Sequence, residues 1–247
     1  MGNIKNLLKA EFNEEDIQAM KPLDGILALL YYLYYMILLY CFGLIMFNTD
    51  LYIRWGKYFG NMVMYKFIFY IPITVLSILP AILITYFRKQ SLSSLGIRKT
   101  KVMKSIILGI IFGLPFLIPN IISGILSNHN FRDIESLTWE FLYFLICIGL
   151  VEEIIFRGFI QTRIKGIIKN KWLSIFVVGL MFSILHIPFQ MMQTNLPLIQ
   201  FIMYDMVHLI ITIILHVYFV YIYTRDNNII APVITHTIIN FSNYLFM

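Results

Sequence analysis

Charge is scarce in this 247-residue chain: Asp, Glu, Lys and Arg make up 13% of it, about half the share usual in a soluble domain. Cysteine is nearly absent. Only Cys41 and Cys147 occur, both in apolar runs, which excludes a disulfide framework and a cysteine-rich zinc site. No internal repeat, low-complexity tract or domain linker is found. What fills the chain is apolar: 60% of residues are hydrophobic and the mean hydropathy is +0.79. That composition excludes disorder, a collagen-like fibre and an ordinary soluble domain. The net charge of +6 is no nucleic-acid signal, because the basic residues flank apolar runs and form no single patch.

Seven stretches are long and apolar enough to cross a bilayer core of about 30 Å. They lie near 25–47, 67–87, 105–126, 137–160, 173–192, 198–223 and 229–247. Together these 155 residues hold only five charges: Glu140, Glu152, Glu153, Arg157 and Asp205. Lipid offers no partner for open backbone groups, so each span is expected to be helical. The expected fold is an all-α, polytopic integral-membrane helix bundle. Residues 1–24 precede it. Asn3–Met20 carries Ile4, Leu7, Leu8, Phe12 and Ile17 at helical spacing, which suits a surface-lying amphipathic helix or a solvated tail.

Loop charge orients the bundle. Of the 18 Lys and Arg residues outside the spans, 14 fall on the side of residues 1–24, and Arg54, Lys57, Lys66 and Arg132 fall on the other. The positive-inside rule makes the first side cytoplasmic. The basic loop from Arg88 to Lys104 then reads as an anchor to anionic headgroups.

Three charges within six residues of one span need a reason, since each costs about 2.5–3.5 kcal/mol at mid-bilayer. Glu153 and Arg157 are four apart and face each other on a helix. Glu152 is turned by about 100° and lacks that partner. A structural charge cluster between helices is the plain alternative. Phe182 and His186 share a face of the fifth span, ahead of Pro188, and His236 and Asn240 share a face of the seventh. Each histidine alone reads as well as a packing residue. By helical rise, Glu152, His186 and His236 fall in the cytoplasmic half to the middle of the membrane. A carboxylate, two imidazoles and an amide at compatible depth suit hydrolysis: one group takes a proton from water while others hold the developing oxyanion.

Glu152-Glu153-x-x-x-Arg157, Phe182-x-x-x-His186 and His236-x-x-x-Asn240 resemble, in order and spacing, the three motifs of the CPBP intramembrane proteases. That family (CAAX protease and bacteriocin-processing, also called Abi) includes the Ras-converting CAAX endoprotease. The resemblance covers residues 137–247, a catalytic core of four helices. Residues 25–126, three further helices, match only in hydrophobicity. The family often has eight spans, so seven to eight are expected, with the active site inside the membrane. The resemblance implies that Glu152 and His186 bind and activate water and that His236 and Asn240 stabilise the oxyanion. Glu153 and Arg157 would form a supporting pair, with Phe182 packed beside His186. It leaves two chemistries open. Glu152, His186 and His236 are a ligand set that catalytic Zn²⁺ uses, yet the spacing is not His-Glu-x-x-His, and a metal-free, glutamate-activated water uses the same residues.

The sixth span carries a polar stripe of Asp205, His208, Thr212 and His216, suited to helix–helix hydrogen bonding or to lining a cavity. Glu140 beside Trp139 is expected near the outer interface, where a carboxylate reaches water. Tyr31, Tyr32, Tyr34 and Tyr35 fit interfacial or packing roles. The leading reading is an intramembrane endopeptidase in the lipid bilayer. Its substrate would be a peptide or membrane-anchored protein cut near the cytoplasmic face, as in peptide or bacteriocin processing or self-immunity. A proton-coupled transporter and a non-catalytic immunity or scaffold protein are the competing readings. Small size and a lack of eukaryotic sorting features fit a multi-pass protein of a bacterial plasma membrane.

Overall fold

The computed structural model describes residues 9–247. Among them all regular structure is helical, apart from one antiparallel bridge between Phe131 and Phe246. In chain order the helices are α1 (Glu14–Gln18), α2 (Pro22–Asn48), α3 (Leu51–Gly56), α4 (Met62–Phe87) and α5 (Val102–Leu126). Then come α6 (residues 134–166), α7 (Lys171–Thr194), α8 (Leu198–Asp226) and α9 (Ile230–Ser242). Helices α2, α4, α5, α7 and α8 are long and apolar enough to cross a membrane. They coincide with the spans expected at 25–47, 67–87, 105–126, 173–192 and 198–223.

The two remaining expected spans take other forms. The stretch 137–160 lies within α6, whose α-helical path is widened into π turns at Tyr143–Gly149 and Ile154–Ile160. The stretch 229–247 is helical only over Ile230–Ser242, 13 residues or about 20 Å. Its last residues turn back onto the loop before α6: Arg132 N–H donates to Leu245 O and Met247 N–H to Asn130 O. The expected amphipathic helix also differs. Residues 3–8 lie outside the described residues, 9–13 are not helical, and α1 has five residues. This segment is instead tied down by polar contacts, Asn13 N–H to Asn227 Oδ1 at 2.8 Å and Ser93 Oγ to Asp16 Oδ1 at 2.9 Å.

Local chemistry explains the helices. Pro22 opens α2, where a missing N–H is harmless, and Asp24 accepts from Lys21 N–H at 2.8 Å. Inside α4, Pro80 has no N–H for the Leu76 carbonyl. The Tyr34 hydroxyl donates to that oxygen at 3.0 Å, and Tyr31 donates to the Ser77 oxygen beside it at 2.7 Å. These tyrosines repair backbone that proline opens, as a membrane helix requires. Helix α9 lies tightly on α5 because Gly109 and Gly113 have no side chain. A Cβ at Gly109 would stand 2.7 Å from the Ala231 carbonyl oxygen, and one at Gly113 2.7 Å from Ile238.

The bundle is apolar outside and polar within. Leu30, Ile37, Met203 and Ile214 are exposed, whereas Glu153, Arg157, Gln161, Arg163 and His216 are fully buried. That inversion suits a lipid surround. The basic end of the bundle is cross-linked. Arg88 pairs with Asp24 at 2.7 Å, Lys104 with Asp226 at 2.8 Å, and Arg98 with Asp16. Arg163 gives hydrogen bonds to Thr85 and Gln90, fastening α6 to the end of α4.

Candidate active site

Two widened turns bracket the short segment Leu150–Glu153 of α6, which carries both adjacent glutamates. Such turns are common at functional sites. Glu153 is fully buried, and its Oε1 lies 3.0 Å from Arg157 Nη1, one turn on. The Arg157 guanidinium sits between two ring faces, 4.5 Å from the centroid of Phe182 and 4.7 Å from that of Phe219. Cation–π attraction offsets part of its desolvation there. Among the described residues its other nitrogens have no hydrogen-bond partner.

The same Glu153 oxygen also takes His236 Nδ1, at 2.8 Å. A carboxylate only accepts, so Nδ1 carries the proton. The His236 ring lies flat on Phe219, with centroids 4.7 Å apart and planes inclined by 22°. Its Nε2 points to Glu152 Oε2 at 3.8 Å, too far for a direct hydrogen bond. The result is a chain of polar groups running Arg157, Glu153, His236, Glu152. Spacing alone pairs Glu153 with Arg157 but does not reveal that Glu153 also holds the histidine of another helix.

His186 is fixed by its own helix. Its Nδ1 meets the Phe182 carbonyl oxygen at 2.8 Å. A carbonyl can only accept, so the neutral ring keeps Nε2 bare. Phe182 meets the ring edge-on at 5.1 Å. Glu152, His186, His236 and Asn240 all line one cavity of about 460 Å³, with His208 and Thr212 of α8 beside them. Glu152 and His186 also wall a neighbouring pocket of about 110 Å³, lined mainly by apolar and aromatic residues such as Phe42, Tyr70 and Phe189. Of the expected residues, Glu153 and Arg157 stand behind the cavity wall.

The stripe on α8 divides. Asp205 Oδ2 holds His208 Nδ1 at 2.9 Å, and the His208 ring stands 5.6 Å from His186. His216 is buried instead and pairs with Gln161 Oε1 at 3.3 Å, a bond between helices. Glu140 also departs from expectation. It is 1% exposed and bound to Lys66 Nζ at 2.5 Å, so it reaches a cation from α4 and not water. No motif in the sequence marks Phe219, although it follows His216 by three residues on the striped helix.

Two imidazoles with bare Nε2 atoms and one carboxylate are donors of the kind zinc takes. Their arrangement does not fit a metal: among the described residues no group of three or more His, Cys, Asp or Glu side chains is placed to hold one.

Residues 134–242 match the family described as Rce1-like, type II CAAX prenyl endopeptidase Rce1-like. No curated protein and no solved structure matches the chain.

Proposed function

Over residues 134–242 the chain belongs to the CAAX protease family, and from that premise we propose that it is an intramembrane endopeptidase working through Glu152. The observation that carries this reading is the convergence of Glu152, His186, His236 and Asn240 on one cavity inside an apolar-surfaced bundle. Glu152 takes the proton of a water held against the bare Nε2 of His186, and the oxygen attacks the scissile carbonyl. Asn240 offers amide hydrogens to the oxyanion. His236 can add one from Nε2 when its ring is protonated. In that state Glu153 on Nδ1 and Glu152 near Nε2 flank the positive ring, while Arg157 balances Glu153 from behind. The proton gained by Glu152 passes to the leaving amine as the tetrahedral species collapses. Burial makes each of these fixed charges and dipoles count for more than it would in water.

Its five long apolar helices, with α6 and the shorter α9 packed among them, make it a multi-pass protein of a bacterial plasma membrane. Its substrate is a peptide or membrane-anchored protein, processed as a bacteriocin or related peptide would be. The test is product analysis. Membranes holding the parent chain should convert peptides to fragments identified by mass spectrometry, and membranes holding Glu152→Gln should not. Equal product from both would sink the assignment.

A further inference from the structure

The cavity is closed at one end and open at the other. Its floor is made by Phe182, Phe219 and His236, all nearly or fully buried. Below the floor, toward the basic end, Phe156, Phe159 and Ile160 of α6 are fully buried and seal the bundle. At the opposite end the lining residues are Gln193, in the last turn of α7, and Asn243 and Tyr244, just past α9. These three are exposed.

The two ends of the bundle are identified by their connections. The closed end gathers the start of α2, the end of α4, the start of α5, the end of α6 and the α8–α9 turn. Arg88–Asp24 and Lys104–Asp226 tie it together. The open end gathers the end of α7, the start of α8 and the end of α9, with Arg132 bound to Leu245. Helix rise places His186 nearer the open end, 15 residues from Lys171 and eight from Thr194, or about 22 Å against about 12 Å, while His236 is six residues from each end of α9. The site expected in the cytoplasmic half, with cleavage near the cytoplasmic face, is thus at mid-depth and opens away from the basic end.

The strongly basic end, with 13 of the 17 described Lys and Arg residues outside the expected spans, is the cytoplasmic one by the positive-inside rule. We infer that the site therefore takes its substrate from the non-cytoplasmic side. On this inference, which rests on the peptidase reading, the substrate class is an exported or outer-leaflet peptide segment and not the carboxyl end of a cytoplasmic protein. The mouth suits such a chain. Gln190 and Gln193 are neutral amides that can both donate to and accept from an extended backbone, while Asn243 at the rim is held by Ile239 O and by Asn120 Nδ2.

Single cysteines tested with a membrane-impermeant maleimide on intact spheroplasts decide the side. Signal is read over the parent chain, whose Cys41 and Cys147 lie within helices. Gln193→Cys and Asn243→Cys should react in intact spheroplasts, and Lys169→Cys only after lysis. Reaction of Lys169→Cys in intact spheroplasts, or failure of both mouth positions until lysis, overturns the inference. A second arm adds impermeant, fluorescence-quenched peptides of randomised sequence to right-side-out and inside-out vesicles. Glu152-dependent release should be several-fold faster in the right-side-out set. Faster release in the inside-out set overturns the side of access and leaves the peptidase reading standing. Release that Glu152→Gln does not reduce removes the peptidase reading, and with it the substrate class inferred here, while the labelling still fixes which side the mouth faces.

Discussion

Helix α6 carries two buried carboxylates with basic partners, and the two pairs are built for different ends. Glu140 is bound by Lys66 of α4, whose ammonium also stands 4.2 Å from the Tyr143 ring. Lys66 is 22% exposed, so this pair keeps one foot near water. Glu153 and Arg157 are both 0% exposed, lie on one helix, and share their oxygen with His236. The first pair joins two helices. The second joins no helices by itself but orients an imidazole that faces the cavity. A buried ion pair is weak evidence of stabilisation. What separates these two is whether a third, chemically active group depends on the carboxylate.

The largest effect should come from the residue outside both pairs. Glu152→Gln keeps size and hydrogen bonding but removes the base, and turnover should fall about 10²–10⁴-fold. The melting temperature should stay close to the parent's.

Glu153→Gln should damage fold and activity together. It leaves Arg157 buried without its counter-charge, a defect of about 3–5 kcal/mol for a broken buried pair, read as poor accumulation and a lowered melting temperature. Replacing both partners by methionine sharpens the point. Stability should largely return, because the lone charge is gone. Activity should not return, because His236 Nδ1 has lost its acceptor. Recovery of full activity in the double variant would show that Glu153 serves only Arg157.

A smaller effect is expected at the other pair. Lys66→Met strands a buried carboxylate and should lower stability by about 1–3 kcal/mol. Turnover per folded molecule should hold. If turnover fell as far as in the Glu153 variant, the contrast between the pairs would collapse. Phe219→Leu removes one of the two ring faces on Arg157 and the face under His236 and should lower stability by about 0.5–2 kcal/mol. Least of all should come from chelation: activity should survive in protein shown metal-free by elemental analysis. Loss that added zinc reverses would require Glu152, His186 and His236 to converge more closely than they do here.

Features confined to one helix were the legible ones. The Glu153–Arg157 pair follows from a spacing of four, and the five long spans follow from apolar runs bounded by charge. The grouping of Glu152, His186, His236 and Asn240 rested on compatible depths and on the family's three motifs. What stayed hidden depends on how one helix is rotated against another. The bond from His236 to Glu153 is of this kind, as are Lys66 on Glu140 and Tyr34 on the carbonyl freed by Pro80. Hydropathy also misled at the end of the chain. Tyr244, Leu245, Phe246 and Met247 are as apolar as the span before them, but Phe246 lies tilted against Phe131, centroids 4.3 Å apart, and the backbone pairs with Asn130 and Arg132 outside the helix. The open end of the cavity depends on that departure, since Asn243 and Tyr244 stand where the helix stops.

The widened turns of α6 bear on how the chain can change in length. A π turn amounts to one residue more than the α-helical path needs. Removing one residue from Tyr143–Gly149 would restore ordinary winding there and leave the faces on either side in phase, whereas the turn at Ile154–Ile160 holds Arg157 and sets its reach to Glu153. Removing one from Leu150–Glu153 would rotate everything beyond it by about 100° and part Glu152 from the histidines. Tolerance to single-residue deletion should therefore be uneven along this one helix, with a permissive stretch at Tyr143–Gly149 and an intolerant one that starts at Leu150 and runs past Arg157.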